Sequence, residues 1–127
     1  MKFSRNKGQS LVEAALVLPI IIVLLIGIID FGLLFNNYLV LCNASREGAR
    51  NAAVGASDAQ IRSIVSTAAS SLEQDELTIT ITPNESYRKN GDEIDVTLQY
   101  KNELFTPLSS IISEPINLSS TTIMRME

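Results

Sequence analysis

Leu11 to Phe35 is a 25-residue stretch whose only charges are Glu13 and Asp30, and between those two lie sixteen uncharged residues. As a helix it measures about 37 Å, more than the ~30 Å hydrocarbon core of a bilayer. The stretch therefore reads as a spanning segment, with room for tilt. Pro19 lies inside it. In water a mid-helix proline breaks the ladder, whereas in a membrane helix neighbours satisfy the freed carbonyl. Lys2, Arg5 and Lys7 precede the run with no acid among them, while after Phe35 seven basic residues face twelve acidic ones. The positive-inside rule then places the N-terminus in the cytoplasm and the remainder outside. Phosphate recognition needs basic surface, so the acidic remainder excludes a nucleic-acid partner.

The organisation follows from this segment. Residues 1–8 form a polar leader, 9–35 a transmembrane helix, and 36–127 an extracytoplasmic domain. No helix stop follows Phe35. Alanine-rich sequence continues to Val54, and Gly55 provides a helix end. One long helix therefore leaves the membrane and runs to about Val54. Ser57 or Asp58 is a cap for a second helix, whose face is Ala59, Ile61, Ile64, Val65, Ala68, Ala69 and Leu72. The period then changes to two. Leu77, Ile79 and Ile81 alternate with threonines, and Ile94, Val96, Leu98 and Tyr100 make a second strand. Between these strands, Asn90-Gly91 signals a tight turn. Leu104 to Pro115 reads as a loop with one short helix, and Ile116 to Met126 as a third strand centred on Thr121, Ile123 and Met124. The expected fold class is α+β: a long N-terminal transmembrane helix continuing into a domain with a second helix and a small antiparallel sheet of about three strands. So small a core gains from packing on the outer half of the long helix.

Catalysis has little material. There is no histidine, so the single cysteine, Cys42, has no imidazole base. Cys42 sits beside Leu39, Val40 and Leu41, the setting of a small buried side chain; an intersubunit disulfide and lipid attachment are the other readings. The acids of residues 73–76 and 92–95 lack the spacing of a calcium loop. No enzyme activity, cofactor or metal is expected.

The N-terminal residues carry a sharper pattern. Gly8 is followed by Glu13 five positions on. A membrane peptidase cutting on the cytoplasmic side needs a small residue at the scissile carbonyl, and Gly8 meets that need. Cleavage there makes Gln9 the new terminus and Glu13 the fifth residue. A carboxylate near hydrocarbon either takes up a proton or finds a cation, and the freed amine of Gln9, on the same or a neighbouring helix, is such a cation. The plain reading of the same residues is a signal anchor with an incidental glycine and a glutamate at headgroup level. Arg46 and Arg50 lie four apart, a solvated helix face or a contact to a partner subunit or lipid headgroup. Asp30 marks the outer boundary or lies buried against a partner helix.

The run Gly8-Gln9-Ser10-Leu11-Val12-Glu13-Ala14-Ala15-Leu16-Val17-Leu18-Pro19 resembles the N-terminus of TadE-like proteins. These are minor pseudopilins of the tight-adherence pilus system, a bacterial branch of the type IV pilus superfamily. The resemblance continues through Ile28, Asp30, Phe31 and Gly32 into residues 44–53, which look like the family's arginine-bearing helix. It covers roughly residues 7–55. It implies that Gly8 is the prepilin-peptidase cleavage site and that Glu13 guides processing and assembly. The implied partners are membrane lipid, other pilins or pseudopilins, assembly platform proteins and the prepilin peptidase. Major pilins of this branch carry a tyrosine after the glutamate, and here that residue is Ala14. The departure favours a minor pseudopilin or assembly component over the main filament subunit. Two rivals stand beside it: an uncleaved single-pass adaptor that scaffolds a secretion machine, and an exported domain released by signal peptidase.

Overall fold

The computed structural model describes residues 2–104, 107–112 and 114–127, with the side chains of residues 2–5 and 107–108 outside the description. The charged groups of Lys2 and Arg5 therefore fall outside it, as do Phe105, Thr106 and Ser113 of the expected loop. The chain divides into two compact units, Met1–Leu33 and Leu34–Glu127. Helix α1, Lys2–Ala53, contributes to both. It begins within the polar leader that the sequence sets apart, and it runs through Pro19 without interruption.

In the first unit α1 is an apolar helix with almost nothing packed on it. Leu11, Leu16, Leu18, Ile20, Leu24 and Ile28 are each more than half exposed. In water such a surface costs about 25 cal/mol per Å², which makes this a helix for an apolar solvent.

The second unit is an α+β domain built on the outer part of α1. Small residues line one face of that helix. Leu41, Ala44, Ser45, Ala49 and Ala52 are fully buried, spaced three and four apart. Gly48 lies on the same stripe. A Cβ built there would stand 2.6 Å from Val65 Cγ2 and 3.3 Å from Val96 Cγ1. The glycine thus lets the helix approach both a second helix and the sheet. Gly55, at φ +91°, ends the helical segment in a conformation that only glycine adopts cheaply.

Helix α2, Asp58–Ala68, starts with a capping box. The Ser57 hydroxyl accepts from the Gln60 amide at 3.3 Å, and the Gln60 side chain accepts from the Ser57 amide at 3.0 Å. Ile61 and Val65 form its buried face, continued beyond its end by Ala69 and Leu72, whereas Ala59 and Ala68, expected on that face, are exposed. Alanine serves on either side of a helix, so composition overstates the width of this stripe.

Three strands follow: β1 Leu77–Thr82, β2 Glu93–Asn102 and β3 Ile116–Arg125. The sheet order is β1-β2-β3 and both pairings are antiparallel. Ile94, Val96, Leu98 and Tyr100 of the central strand point into the core. On β3 the inward face is Ile116, Leu118, Ser120, Thr122 and Met124. Ile123, expected at the strand's centre, lies on the open face and is 57 % exposed. The alternation forces this: Met124 occupies the inward position, so its neighbour must point outward. Asn90-Gly91 does form a turn, closed by the Asp92 amide donating to the Lys89 carbonyl at 3.1 Å. Only the glycine has positive φ, +93°. The turn is therefore of type II, set at the end of a long connection rather than at a two-residue hairpin. In the loop after β2, Pro107–Ser110 is one short 3-10 turn.

Candidate functional site: the exposed helix and its flanks

The residues singled out by the sequence fall into two groups, one in each unit. In the first unit, Gly8, Gln9 and Glu13 lie on exposed helical backbone. A Cβ built at Gly8 meets nothing within 4 Å, so its surroundings are open. Gln9 and Glu13 are four residues apart, which places them one turn apart on the same face. Asp30 is different, for it is only 6 % exposed although its neighbours Ile29 and Phe31 are 57 % and 67 % exposed.

In the second unit, Arg46 and Arg50 are both exposed, on the side of α1 away from the buried stripe. Arg50 also falls in the last turn of the helix, where a cation complements the negative end of the macrodipole. Asn51 donates to the Glu47 carbonyl at 2.8 Å on the same surface. Cys42 is a half-buried free thiol. A hydrogen bond with Cys42 holds the Tyr38 phenol above its ordinary value.

Three polar clusters went unrecognised in the sequence. Ser45, fully buried, donates to the Cys42 carbonyl at 2.9 Å or shares its proton with Ser120 Oγ at 3.1 Å and Thr122 Oγ1 at 2.8 Å. Asn37 Nδ2 donates to Asn102 Oδ1 at 2.6 Å. Arg88, whose side chain is 3 % exposed, pairs with Asp58. It also donates from Nε to the Pro83 carbonyl at 3.0 Å and from Nη1 to the Ala56 carbonyl at 3.2 Å. Burial lowers the Arg88 pKa from its usual value. Asp58 and Glu85 exchange bonds as well, each amide donating to the other's carboxylate at 3.3 and 3.4 Å. These contacts tie the helix junction to the β1–β2 connection and serve the fold. Apart from Ser45–Cys42 and Arg88–Pro83, which lie 3 and 5 residues apart, their partners are 27 to 77 residues apart, beyond what local spacing reveals.

Among the described residues no group of three or more His, Cys, Asp or Glu side chains is placed to hold a metal ion. The site is thus a surface rather than a cleft: an unpacked apolar helix, with Gly8 and Glu13 near its start and a buried acid toward its end. One helix, Asn6–Ala53, is long and apolar enough to cross a membrane, with a mean hydropathy of 2.9 in its most apolar window. No curated protein and no solved structure matches the chain. Residues 8–50, the stretch that carries Gly8, Glu13, Asp30, Arg46 and Arg50, match the family model described as TadE-like protein.

Proposed function

We propose that this protein is a minor pseudopilin or assembly component of a tight-adherence pilus, processed after Gly8 and assembled through its N-terminal helix. The observation that carries the reading is the coincidence of the TadE-like match with an apolar helix that nothing covers. The family connects the chain with pilus systems, and the helix suits single-pass anchoring. In this reading the N-terminus faces the cytoplasm, the domain of residues 36–127 lies outside, and the work is assembly rather than turnover.

The chemistry of the first turns fits processing. A peptidase must open the helix to reach the Gly8 carbonyl, and glycine weakens a helix interior by about 0.5–1 kcal/mol relative to alanine. The cut frees an amine at Gln9 in the i, i+4 relation to Glu13. An ion pair there, or with the amine of a neighbouring subunit, removes the cost of a lone carboxylate near lipid and fixes helix register. Asp30, Arg46 and Arg50 are the candidate partner contacts. The partners are lipid, other pilins or pseudopilins, the assembly platform and the prepilin peptidase.

The release of a soluble domain near Ala56 is the weaker alternative. It removes Leu41, Ala44, Ala49 and Ala52 from the core and leaves Ile61, Val65 and Val96 bare. An uncleaved adaptor keeps that core, and the mature N-terminus separates it from the favoured reading. Mass spectrometry of the membrane protein is expected to find Gln9 first; an intact Met1 supports the adaptor instead. Gly8→Leu blocks trimming. Glu13→Ala still inserts but no longer co-purifies with the major pilin, and unchanged assembly of that variant refutes the register role.

A further inference from the structure

The two edges of the sheet are finished differently. Just past β3, Met126 donates to the Asp92 carbonyl and accepts from the Gly91 amide, both at 2.8 Å. Along an antiparallel ladder, residues that bond the partner strand alternate with residues that face away from it. The even residues of β3 therefore bond β2, and Asn117, Ser119, Thr121, Ile123 and Arg125 turn their N–H and C=O groups to the outer edge. The same alternation turns Leu77, Ile79 and Ile81 of β1 outward on the other side, where Arg62 Nη1 covers the Ile79 carbonyl at 2.9 Å. Beyond β3 the Glu127 amide, next in the outward series, is taken by the Ala53 carbonyl at 3.1 Å. No hydrogen bond from a described residue reaches the outward backbone groups of residues 117 to 125.

β3 also lacks the devices that protect an edge. It runs for 10 residues in unbroken register with β2, holds no proline and carries no charge before Arg125. Its inward side chains are only half-buried, whereas those of β2 are buried. A row of free backbone groups is recognised by another extended backbone. The sequence of β3 complements itself in that role. Antiparallel pairing about Thr121 sets Ser119 against Ile123 and Asn117 against Arg125 on the open face, so no like charges meet. On the core side it sets Leu118 against Met124, Ser120 against Thr122 and Ile116 against Met126, apolar with apolar and hydroxyl with hydroxyl.

We propose that β3 is a docking edge for a second copy of this chain, paired about a twofold axis at Thr121 so that one sheet continues through both domains. The contact is isologous, and every outward group of the strand finds its counterpart. The axis is perpendicular to the sheet. It therefore reverses the outer part of α1, which runs in the same sense as β3 from Ser45, bonded to Ser120, to Ala53, bonded to Glu127. The contact joins copies whose helices run in opposite senses, and it is separate from the helix-mediated assembly proposed above.

The full chain carrying Cys42→Ala and either Thr121→Cys or Thr80→Cys has a single thiol, and is oxidised in detergent micelles. The paired Thr121 positions have Cα atoms about 5.5 Å apart, within disulfide reach, whereas Thr80 lies on the guarded β1 strand. Thr121→Cys is expected to give a covalent dimer and Thr80→Cys none. Sedimentation in the same detergent then follows Thr121→Lys and Thr121→Glu, both at an exposed position that spares the fold. Each alone sets like charges opposite one another and weakens the dimer by up to about fivefold, and an equal mixture of the two restores it. A chain that stays monomeric, equal cross-linking at 80 and 121, or a dimer indifferent to the charges at 121 overturns the proposal.

Discussion

Gly48→Ala tests whether close approach of α1 to its neighbours holds the domain together. The new Cβ stands 2.6 Å from Val65 Cγ2, 3.3 Å from Val96 Cγ1 and 3.6 Å from Ile61 Cγ2. Ordinary carbon contacts lie at ~3.5–4.0 Å, so the first is short by about 1 Å. All three neighbours are fully buried, and Val65 is β-branched on a helix, where one χ1 rotamer dominates. It cannot turn its methyl aside, and the helices must separate. Overpacking of this kind costs about 1–3 kcal/mol. Against it stands the helix propensity of alanine over glycine, about 1 kcal/mol. The expected net loss is about 1 kcal/mol, which lowers the midpoint of a domain this size by about 4–8 °C. Thermal unfolding of the full chain in detergent micelles measures it. Gly32→Ala is the control, because its Cβ meets nothing within 4 Å. A second test adds Val65→Ala to Gly48→Ala: removing the opposing methyl relieves the clash, so the double variant is less destabilised than the two singles together. A higher midpoint for Gly48→Ala, or strict additivity in the double variant, refutes the reasoning.

Other outcomes follow from the polar contacts. Arg88→Ala abandons Asp58 and two part-buried carbonyls and is expected to cost about 3 kcal/mol in urea unfolding, whereas the exposed Lys89→Ala changes little. Ser45→Ala removes one member of a three-hydroxyl cluster and is expected to cost about 1 kcal/mol by the same assay. The Tyr38 phenol is held above its ordinary value of 10.0 chiefly by its bond with Cys42, so Cys42→Ala should bring its ionisation, followed by ultraviolet absorbance, to lower pH. The sign follows from linkage: a raised folded value stabilises the fold below the unfolded pKa, and that contribution disappears as pH rises through the folded one.

Much of this architecture was legible along the chain. The change from helical spacing in residues 59–72 to alternation in 77–82 locates α2 and β1, and Gly55 and Ser57 mark the junction between the helices. These signals are local, so sequence carries them. The facing of β3 was harder to read. Its strand holds isoleucine at 116 and 123, which are of opposite parity, and hydroxyls at 119 to 122 that fit either face. Only the pairing with β2 decides that Ser120 and Thr122 turn inward, toward Ser45. The long-range partners of Arg88 and Asn37 leave no periodic trace for the same reason. For the candidate surface, Gly8, Glu13 and the apolar run stand out by chemistry as the proposed site. Asp30 admits two readings from its position in the sequence, and its 6 % exposure within the single chain fits both.

The order of elements also bears on export. The stripe of α1 from Leu41 to Ala52 emerges well before its cover, for β2 begins at Glu93 and β3 at Ile116. In the proposed topology, with residues 36–127 outside, a subunit threading outward holds an unshielded flank until β2 and β3 have crossed. Whatever delays those last strands keeps the whole module open to chaperones and proteases, so passage of β3 is the step that commits it to its mature form.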